Sequence, residues 1–344
     1  MLADVGTYHA ATCLRAAHGA PAAEVRAFMQ FNGRLSGGTM ATGLLMDEGD
    51  DALQACRKDP FALGGAPPGG ARARDADPVA AEYDAPLGCW TAPFWMADID
   101  SRVVRRSSAL HREALTARAS GEGGGGEGDG ALYDAHFAYR ERALAADEGV
   151  ATNLASPTPT VARRRAMMAR GKLPSPGQGP SAEVRAKSWF RLFFWAQAPP
   201  AAGGSGVGGG DGGGAGGGAV LTAVEGGDPG YEETSKMCAE AAILLATRRD
   251  ELPAARWSRQ VAGGAAGRGG VLTPAFALGA PLIAELGARG LRFEELAIVA
   301  ASDGPVPPRG DCQSHVSVDA AAETMRTLAA QPRRVSAEHG AQTE

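Results

Sequence analysis

Alternating apolar and polar positions mark the first elements of the chain. Val25, Ala27, Met29 and Phe31 alternate with polar neighbours over 24–32, the period-two pattern of a half-buried strand. The same reasoning predicts strands over 136–142, with Phe137 and Tyr139 on one side, and over 189–196, 220–225 and 291–296. Helices are predicted over 38–47, over 97–118 with Ile99, Val103 and Leu110 along one face, and over 161–170, 229–249 and 274–289. Phe193, Phe194 and Trp195 in succession put aromatic rings on both faces of their strand, so one face must be covered by something. Strands joined by hairpins and separated by long helices indicate an α+β fold, with an antiparallel or mixed sheet and helices on one face.

The helix over 229–249 carries a complete start signal. Asp228 stands where an N-cap carboxylate accepts free N–H groups, and Pro229 stands at the first helical position, where a missing N–H costs nothing. Glu232 and Glu233 suit the positive end of the helix dipole, and Arg248 and Arg249 the negative end.

Glycine distribution divides the chain further. Its 49 Gly and 22 Pro among 344 residues are clustered, and runs without apolar residues cannot offset the entropy of ordering. Flexible inserts are expected over about 64–80, 119–131 and 199–219, the last a wide loop between two hairpin strands. Residues 1–300 then form one domain, and the polar stretch 301–344 is expected to be a mobile, disordered tail. A net charge of −5 gives no electrostatic case for nucleic acid. Five scattered cysteines suit an intracellular, reducing compartment, and six histidines show no metal-ligand spacing. Asp4, His9 and Arg15 interrupt any signal-peptide core, and no apolar run is long enough to span a bilayer.

Candidate chemistry is sparse, and no catalytic residue is identified. The turn Ser36-Gly37-Gly38-Thr39 opens a helix with no carboxylate in the way, so it reads either as a plain Ser/Thr cap or as an anion site. At Gly226-Gly227-Asp228 the carboxylate caps the N–H groups that a phosphate needs, so this turn reads as structural, together with Pro229 and Tyr231. Tyr231 and Lys236, five apart, do not share a helix face. Arg102, Arg105, Arg106 and Arg112 on one helix, and Arg163, Arg164, Arg165 and Arg170 on another, read as solvated faces paired with Asp98 and Glu113. The sharper alternative is contact with lipid headgroups or a nucleotide phosphate. Trp90, Phe94 and Trp95, with the aromatics of 189–195, either fill the core or line an acyl pocket.

Several blocks in order resemble one family. Val220 to Met237, Ser36-Gly37-Gly38-Thr39-Met40-Ala41, Asp59-Pro60-Phe61-Ala62-Leu63, Ile99-Asp100-Ser101-Arg102-Val103-Val104-Arg105-Arg106-Ser107, Pro176-Gly177-Gln178-Gly179-Pro180-Ser181 and Gly269 to Ala275 are similar to motifs of the saccharopine dehydrogenase-like oxidoreductases. The match is to their trans-acting enoyl reductase-like branch. That resemblance implies NAD(P) as cofactor, a lipid or acyl substrate, glycolipid metabolism, attachment to a membrane or lipid-droplet surface, and homodimerisation. It places Ser36, Gly37, Gly38 and Thr39, with Arg102 and Arg105, toward the groove between substrate and nucleotide domains. No Gly-rich pyrophosphate turn follows a strand near Met1, so the chain resembles the substrate and dimerisation half, which alone is not expected to bind NAD(P). Exposed apolar residues are then expected near Val5, Tyr8 and Met40. The alternative is a non-catalytic module that keeps this fold for lipid-surface or protein contacts.

Overall fold

The computed structural model describes residues 1–119, 130–200, 217–255, 270–300 and 316–330. Among these, the strands are β1 (Ala22–Asn32), β2 (Glu82–Asp84), β3 (Cys89–Pro93), β4 (Tyr133–Ala145), β5 (Trp189–Gln197), β6 (Ala219–Gly226) and β7 (Arg292–Val299). They form a single mixed sheet in the order β2-β3-β4-β1-β5-β6-β7. Only β1 and β4 run parallel; every other neighbouring pair is antiparallel. The α+β class and mixed sheet expected from the sequence are both present.

Helices α1 (Leu2–His18), α2 (Gly37–Asp47), α3 (Asp51–Lys58) and α4 (Ala97–Ala119) belong to the first half of the chain. The short helices α5 (Glu148–Leu154), α6 (Val161–Ala169) and α7 (Ala182–Ala186) precede β5. Then come α8 (Glu232–Thr247), α9 (Pro274–Ala277), α10 (Gly279–Ala288) and α11 (Val318–Ala330).

Side-chain alternation builds two cores, one on each sheet face. Val25, Ala27, Leu192, Phe194 and Val220 point toward α1, α4, α8 and α10. Phe28, Phe193, Trp195 and Leu221 point the other way, where Ala321, Met325 and Ala329 of α11 cover them. The second cover therefore comes from within 301–344. Residues 318–330 of that segment form a packed helix rather than a mobile tail, because their small side chains fit over a sheet face already crowded with rings. The inserts over 119–131 and 199–219, and the rest of 301–344, fall almost wholly outside the described residues.

Helix α1 sits at the centre of the first core, with Ala3, Val5, Ala10, Ala11 and Leu14 all buried. Its approach to the sheet is close. A Cβ on Gly6 would lie 2.2 Å from the ring of Phe194, which is itself fully buried. No helix is predicted here from the residue pattern, and the exposure expected at Val5 is overturned: Val5 is 2% exposed. Asp4, also buried, accepts a hydrogen bond from the Ala275 amide at 2.8 Å and another from the Ser107 hydroxyl. It thereby satisfies an orphan N–H at the start of α9 and ties α1 to α4.

Three further boundaries differ from the sequence reading. The helix over 229–249 begins as a turn and becomes α8 at Glu232. The helix over 274–289 breaks into α9 and α10 at Gly279, whose φ of 51° lies in the left-handed region. Helix α4 buries Val104 and Leu110, whereas Ile99 is 39% exposed, because polar Ser101, Ser107 and Ser108 occupy much of its buried face. The segment 64–80, expected to be flexible, is anchored: Asp75 is buried and bonded to the Arg72 amide and guanidinium, and Arg105 holds its carbonyl.

Two outcomes test this packing. Gly6→Ala improves helix propensity by roughly 1 kcal/mol, but it overpacks a ring that has nowhere to go. A net loss of about 1–3 kcal/mol in denaturant unfolding is expected; an unchanged or raised midpoint contradicts the close approach. Burial pushes the Asp4 carboxyl up from 3.8 to about 6, against its hydrogen bonds from Ser107 and Ala275. The folded state thus holds this proton more tightly than the unfolded chain. That contribution is fully present below pH 3.8 and has been lost once pH rises through about 6. The stability of Asp4→Asn relative to wild type should therefore rise by ~3 kcal/mol between acid and neutral pH.

Candidate functional site

Beyond the C-terminal end of β1 the chain turns through Gly33, Arg34 and Leu35 into α2. The turn before α8 lies alongside, and the corner from β3 into α4 closes a third side. Between them lies a cavity of about 320 Å³, walled by Leu2, Met29, Phe94, Leu192 and Met237. Ser36, Thr39, Asp100, Tyr231 and Thr234 bring polar atoms to its edge. Trp95 at 50% exposure, with Phe31, Leu35 and Tyr231, forms a half-exposed rim. Phe94 locks two rim rings, packing edge-on with Phe31 at 6.3 Å and with Trp95 at 5.9 Å.

Three of the motifs singled out in the sequence meet here. The Gly37 amide donates to the Gln178 carbonyl at 2.8 Å, and a Cβ on Gly37 would strike the Ser175 carbonyl oxygen. A Cβ on Gly179 would lie 2.2 Å from the Tyr231 hydroxyl, and Arg185 stacks over the Tyr231 ring at 5.9 Å. Segment 175–181 is thus a strap joining the Ser36 turn to the Tyr231 turn, and glycine is required where the strands of the strap touch their neighbours.

Both turns spend amides on acceptors of the protein itself. At α2, Ser36 Oγ accepts from the Thr39 amide at 3.0 Å, the Ser36 carbonyl accepts from Met40, and Gln178 takes Gly37. Of the two readings of that turn, the cap is the one formed. Before α8, Asp228 Oδ2 accepts from Tyr231 at 2.7 Å and from Glu232 at 3.4 Å, while Glu233 accepts from Gly227 at 2.9 Å. Side chains of the same turn thus take the amides of Gly227, Tyr231 and Glu232. A dinucleotide pyrophosphate needs several free, converging N–H groups, and these two turns do not supply them.

Arg102 and Arg105 do not face the cavity. Both are buried, which overturns the solvated-face reading for them. Arg102 forks onto Asp77 at 2.5 and 2.9 Å and reaches the Asp59 and Arg57 carbonyls. Arg105 donates to the carbonyls of Pro60, Asp75 and Tyr139 and lies 5.3 Å over Phe61. Their fork geometry clamps residues 57–77 onto α4 and β4. Arg106 does pair with Glu113, at 3.1 Å. On α6, Arg164 and Arg165 pair with Asp47 and Glu48 at the end of α2.

The ionisable groups that sequence reasoning missed are Asp100 and Glu141. Asp100 is in the first turn of α4 and lines the cavity. Helix α4 runs antiparallel to β4: Arg112 reaches the Ala135 carbonyl and Arg105 that of Tyr139. That register carries Asp100 alongside Glu141. Glu141 is 1% exposed, and its Oε2 accepts from the Tyr139 hydroxyl at 3.1 Å, while Oε1 has no hydrogen-bond partner. Burial, and then the charge of Asp100, pushes the Glu141 carboxyl well above its usual range. Burial raises Asp100 as well, and the charge of Asp98 adds to the effect. Nothing in the sequence marks either residue, because their partnership depends on the α4–β4 register.

Among the described residues, no group of three or more His, Cys, Asp or Glu is placed to hold a metal ion. No described helix is long and apolar enough to cross a membrane.

Two Mycobacterium tuberculosis proteins, from strains H37Rv and CDC 1551, are similar to this chain. Both are named "Putative trans-acting enoyl reductase". Each is 29% identical over 289 residues, a match covering 77% of this chain and 57% of the relative. The chain thus spans little more than half the length of these curated relatives, and it is related to proteins whose name denotes an oxidoreductase. No family model matches it, and no solved structure matches it significantly.

The closed turns lead to a direct expectation. Titrating the chain with NADPH and following nucleotide fluorescence should show no saturable binding in the low-micromolar range. Tight binding would mean that a phosphate cradle exists outside the two turns described.

Proposed function

We propose that this chain is the substrate-binding part of an oxidoreductase of the saccharopine dehydrogenase-like kind, acting on a lipid or acyl substrate. The carrying observation is the apolar cavity framed by three motifs, taken together with the names of the similar proteins. The wall of Leu2, Met29, Phe94, Leu192 and Met237 favours an alkyl chain by the ordinary hydrophobic term, roughly 25 cal/mol for each Å² removed from water. The polar edge of Asp100, Thr39 and Thr234 orients one oxygen-bearing end. NAD(P)H is the reductant this reading implies. Neither closed turn fits its phosphates, so its binding groups would lie outside them. What the described residues contribute is a shaped, mainly apolar pocket that orients a ligand.

A second reading is favoured by one observation, the exposure of Trp95 beside Phe31, Leu35 and Tyr231. The same rim on a binding module without catalysis would rest on a lipid surface or on a protein partner, including a second copy of the chain. Membrane or lipid-droplet attachment and homodimerisation belong to this surface. Flotation with liposomes and sedimentation of the free chain separate these cases.

Trp95 supplies the test of the first reading. Adding a neutral medium-chain acyl thioester should change tryptophan emission saturably, and Trp95→Phe should remove most of the change. Met237→Lys puts an ammonium group into the apolar wall and should weaken binding by about tenfold or more. Equal binding by Met237→Lys and wild type would sink the assignment of this cavity to the substrate.

A further inference from the structure

A second cavity, of about 410 Å³, lies at the other end of α1 from the first. Leu2 and Ala3 border the first; Tyr8, Thr12 and Arg15 border the second. Spaced four and then three apart, these three fall on one face of the helix, turned away from Ala10, Leu14 and Ala17, which are buried. Helix α4 supplies His111 and Leu115, and α9 and α10 supply Phe276 and Ala280. No lining residue is common to the two cavities.

Rings set the wall. Tyr8 and His111 stack at 6.0 Å with their planes 24° apart, and Phe276 meets His111 edge-on at 5.1 Å. Tyr133, buried and 5.4 Å from His111, is braced in turn by Phe137 at 4.7 Å. Gly279 takes its left-handed conformation where α9 gives way to α10, and a Cβ there would lie 3.3 Å from the Tyr8 hydroxyl. Neighbouring groups thus hold the rings in place before any ligand enters. Such a wall favours a planar π-system over a flexible chain: ring against ring adds an electrostatic preference to plain burial, and a rigid guest loses little rotamer freedom.

The polar groups give the site its sign. Arg15 is half-buried, and its Nη1 donates to the neutral Gly130 carbonyl. Glu251 also borders the cavity, but Arg248 holds it at 2.9 Å. A guanidinium donates through a planar fork that matches the two oxygens of a carboxylate. We propose that this cavity is a second binding site, for a planar aromatic carboxylate of one or two rings. Its rings lie against Tyr8, His111 and Phe276, and its carboxylate meets Arg15. The site stands apart from the substrate cavity and does not depend on that reading.

Calorimetric titration of the chain with 2-naphthoate at about pH 7 tests this. 2-Naphthoate should bind saturably, and about tenfold or more tighter than 2-naphthamide, which keeps the rings without the charge. Octanoate, which keeps the charge without the rings, should be weaker by a similar factor. Arg15→Gln should weaken 2-naphthoate about tenfold and leave 2-naphthamide unchanged. Ala280→Trp, at an exposed position of α10, obstructs this cavity and should remove binding of both. Thr234→Trp, equally exposed, obstructs the first cavity and should change neither. Each variant is checked for folding by circular dichroism, and Ala280→Trp keeps the test sharp if Arg15→Gln misfolds. Absence of saturable 2-naphthoate binding by the folded chain, equal affinity for 2-naphthamide or octanoate, or binding that survives Arg15→Gln or Ala280→Trp overturns the assignment. Loss of binding in Thr234→Trp moves the ligand to the first cavity and overturns it too, leaving the substrate-cavity reading untouched.

Discussion

The contact between Gly6 of α1 and the Phe194 ring sets the distance at which the helical layer meets the sheet. With no Cβ in the way, the helix axis drops until backbone and ring are in contact, and everything that packs beside α1 inherits that depth. Asp4 then reaches the start of α9 and the Ser107 hydroxyl of α4 in one step, and Ser107 continues to Thr273 Oγ1 at 2.6 Å. A larger residue at position 6 would lift the helix and pull three joints apart together. The buried carboxyl is tolerated because hydrogen-bond donors surround it, even though burial still raises its proton affinity.

The same depth shapes the cavity. Leu2 and Ala3 stand at one wall of it because the first turn of α1 has settled against the sheet; Met29 and Leu192 are the strand positions beneath. The opposite wall depends on the strap over 175–181, which presses on Gly37 and on Tyr231 without leaving room for side chains. The motifs shared with the oxidoreductases therefore act mainly through shape. Ser36, Asp228 and Glu233 consume the amides of their own turns, so these glycines serve close approach between chain segments rather than close approach to a phosphate.

Strands were legible where alternation was strong: β1, β5 and β6 were found to within about two residues, which is as well as such boundaries are read. Helix α1 was not found, although Ala3, Thr7, Ala10, Leu14 and Ala17 fall three or four apart. Its buried stripe is built from Ala, Gly and Thr, which carry little hydrophobic signal, and it is punctuated by Asp4, His9 and Arg15. Helix α11 was hidden for the same reason, its buried face being Ala321, Ala322, Met325 and Ala329. Arg102 and Arg105 illustrate the converse error. Two arginines in a charged helix look like a solvated face, and only the path of residues 57–77 over α4 reveals that backbone carbonyls await them. Of the candidate site, the Ser36 and Tyr231 turns were found in the sequence, but their meeting was not.

The position of Asp100 shows why that part of the site lay beyond pattern reading. As a first-turn acid on α4 it is the commonest kind of helix carboxylate, favourable to the dipole and ordinarily solvated. What changes its chemistry is burial, to which the charge of Asp98 adds, and its own charge in turn raises Glu141, 41 positions later, which an antiparallel helix-on-strand register fastened by Arg105 and Arg112 through main-chain carbonyls brings near. Those arginines, which in the sequence look like a solvated face, influence the cavity at one remove: by fixing how far α4 slides along β4 they decide how near the two carboxyls come. A shift of one helical turn, about 5.4 Å, would separate the pair and leave Asp100 an ordinary surface acid.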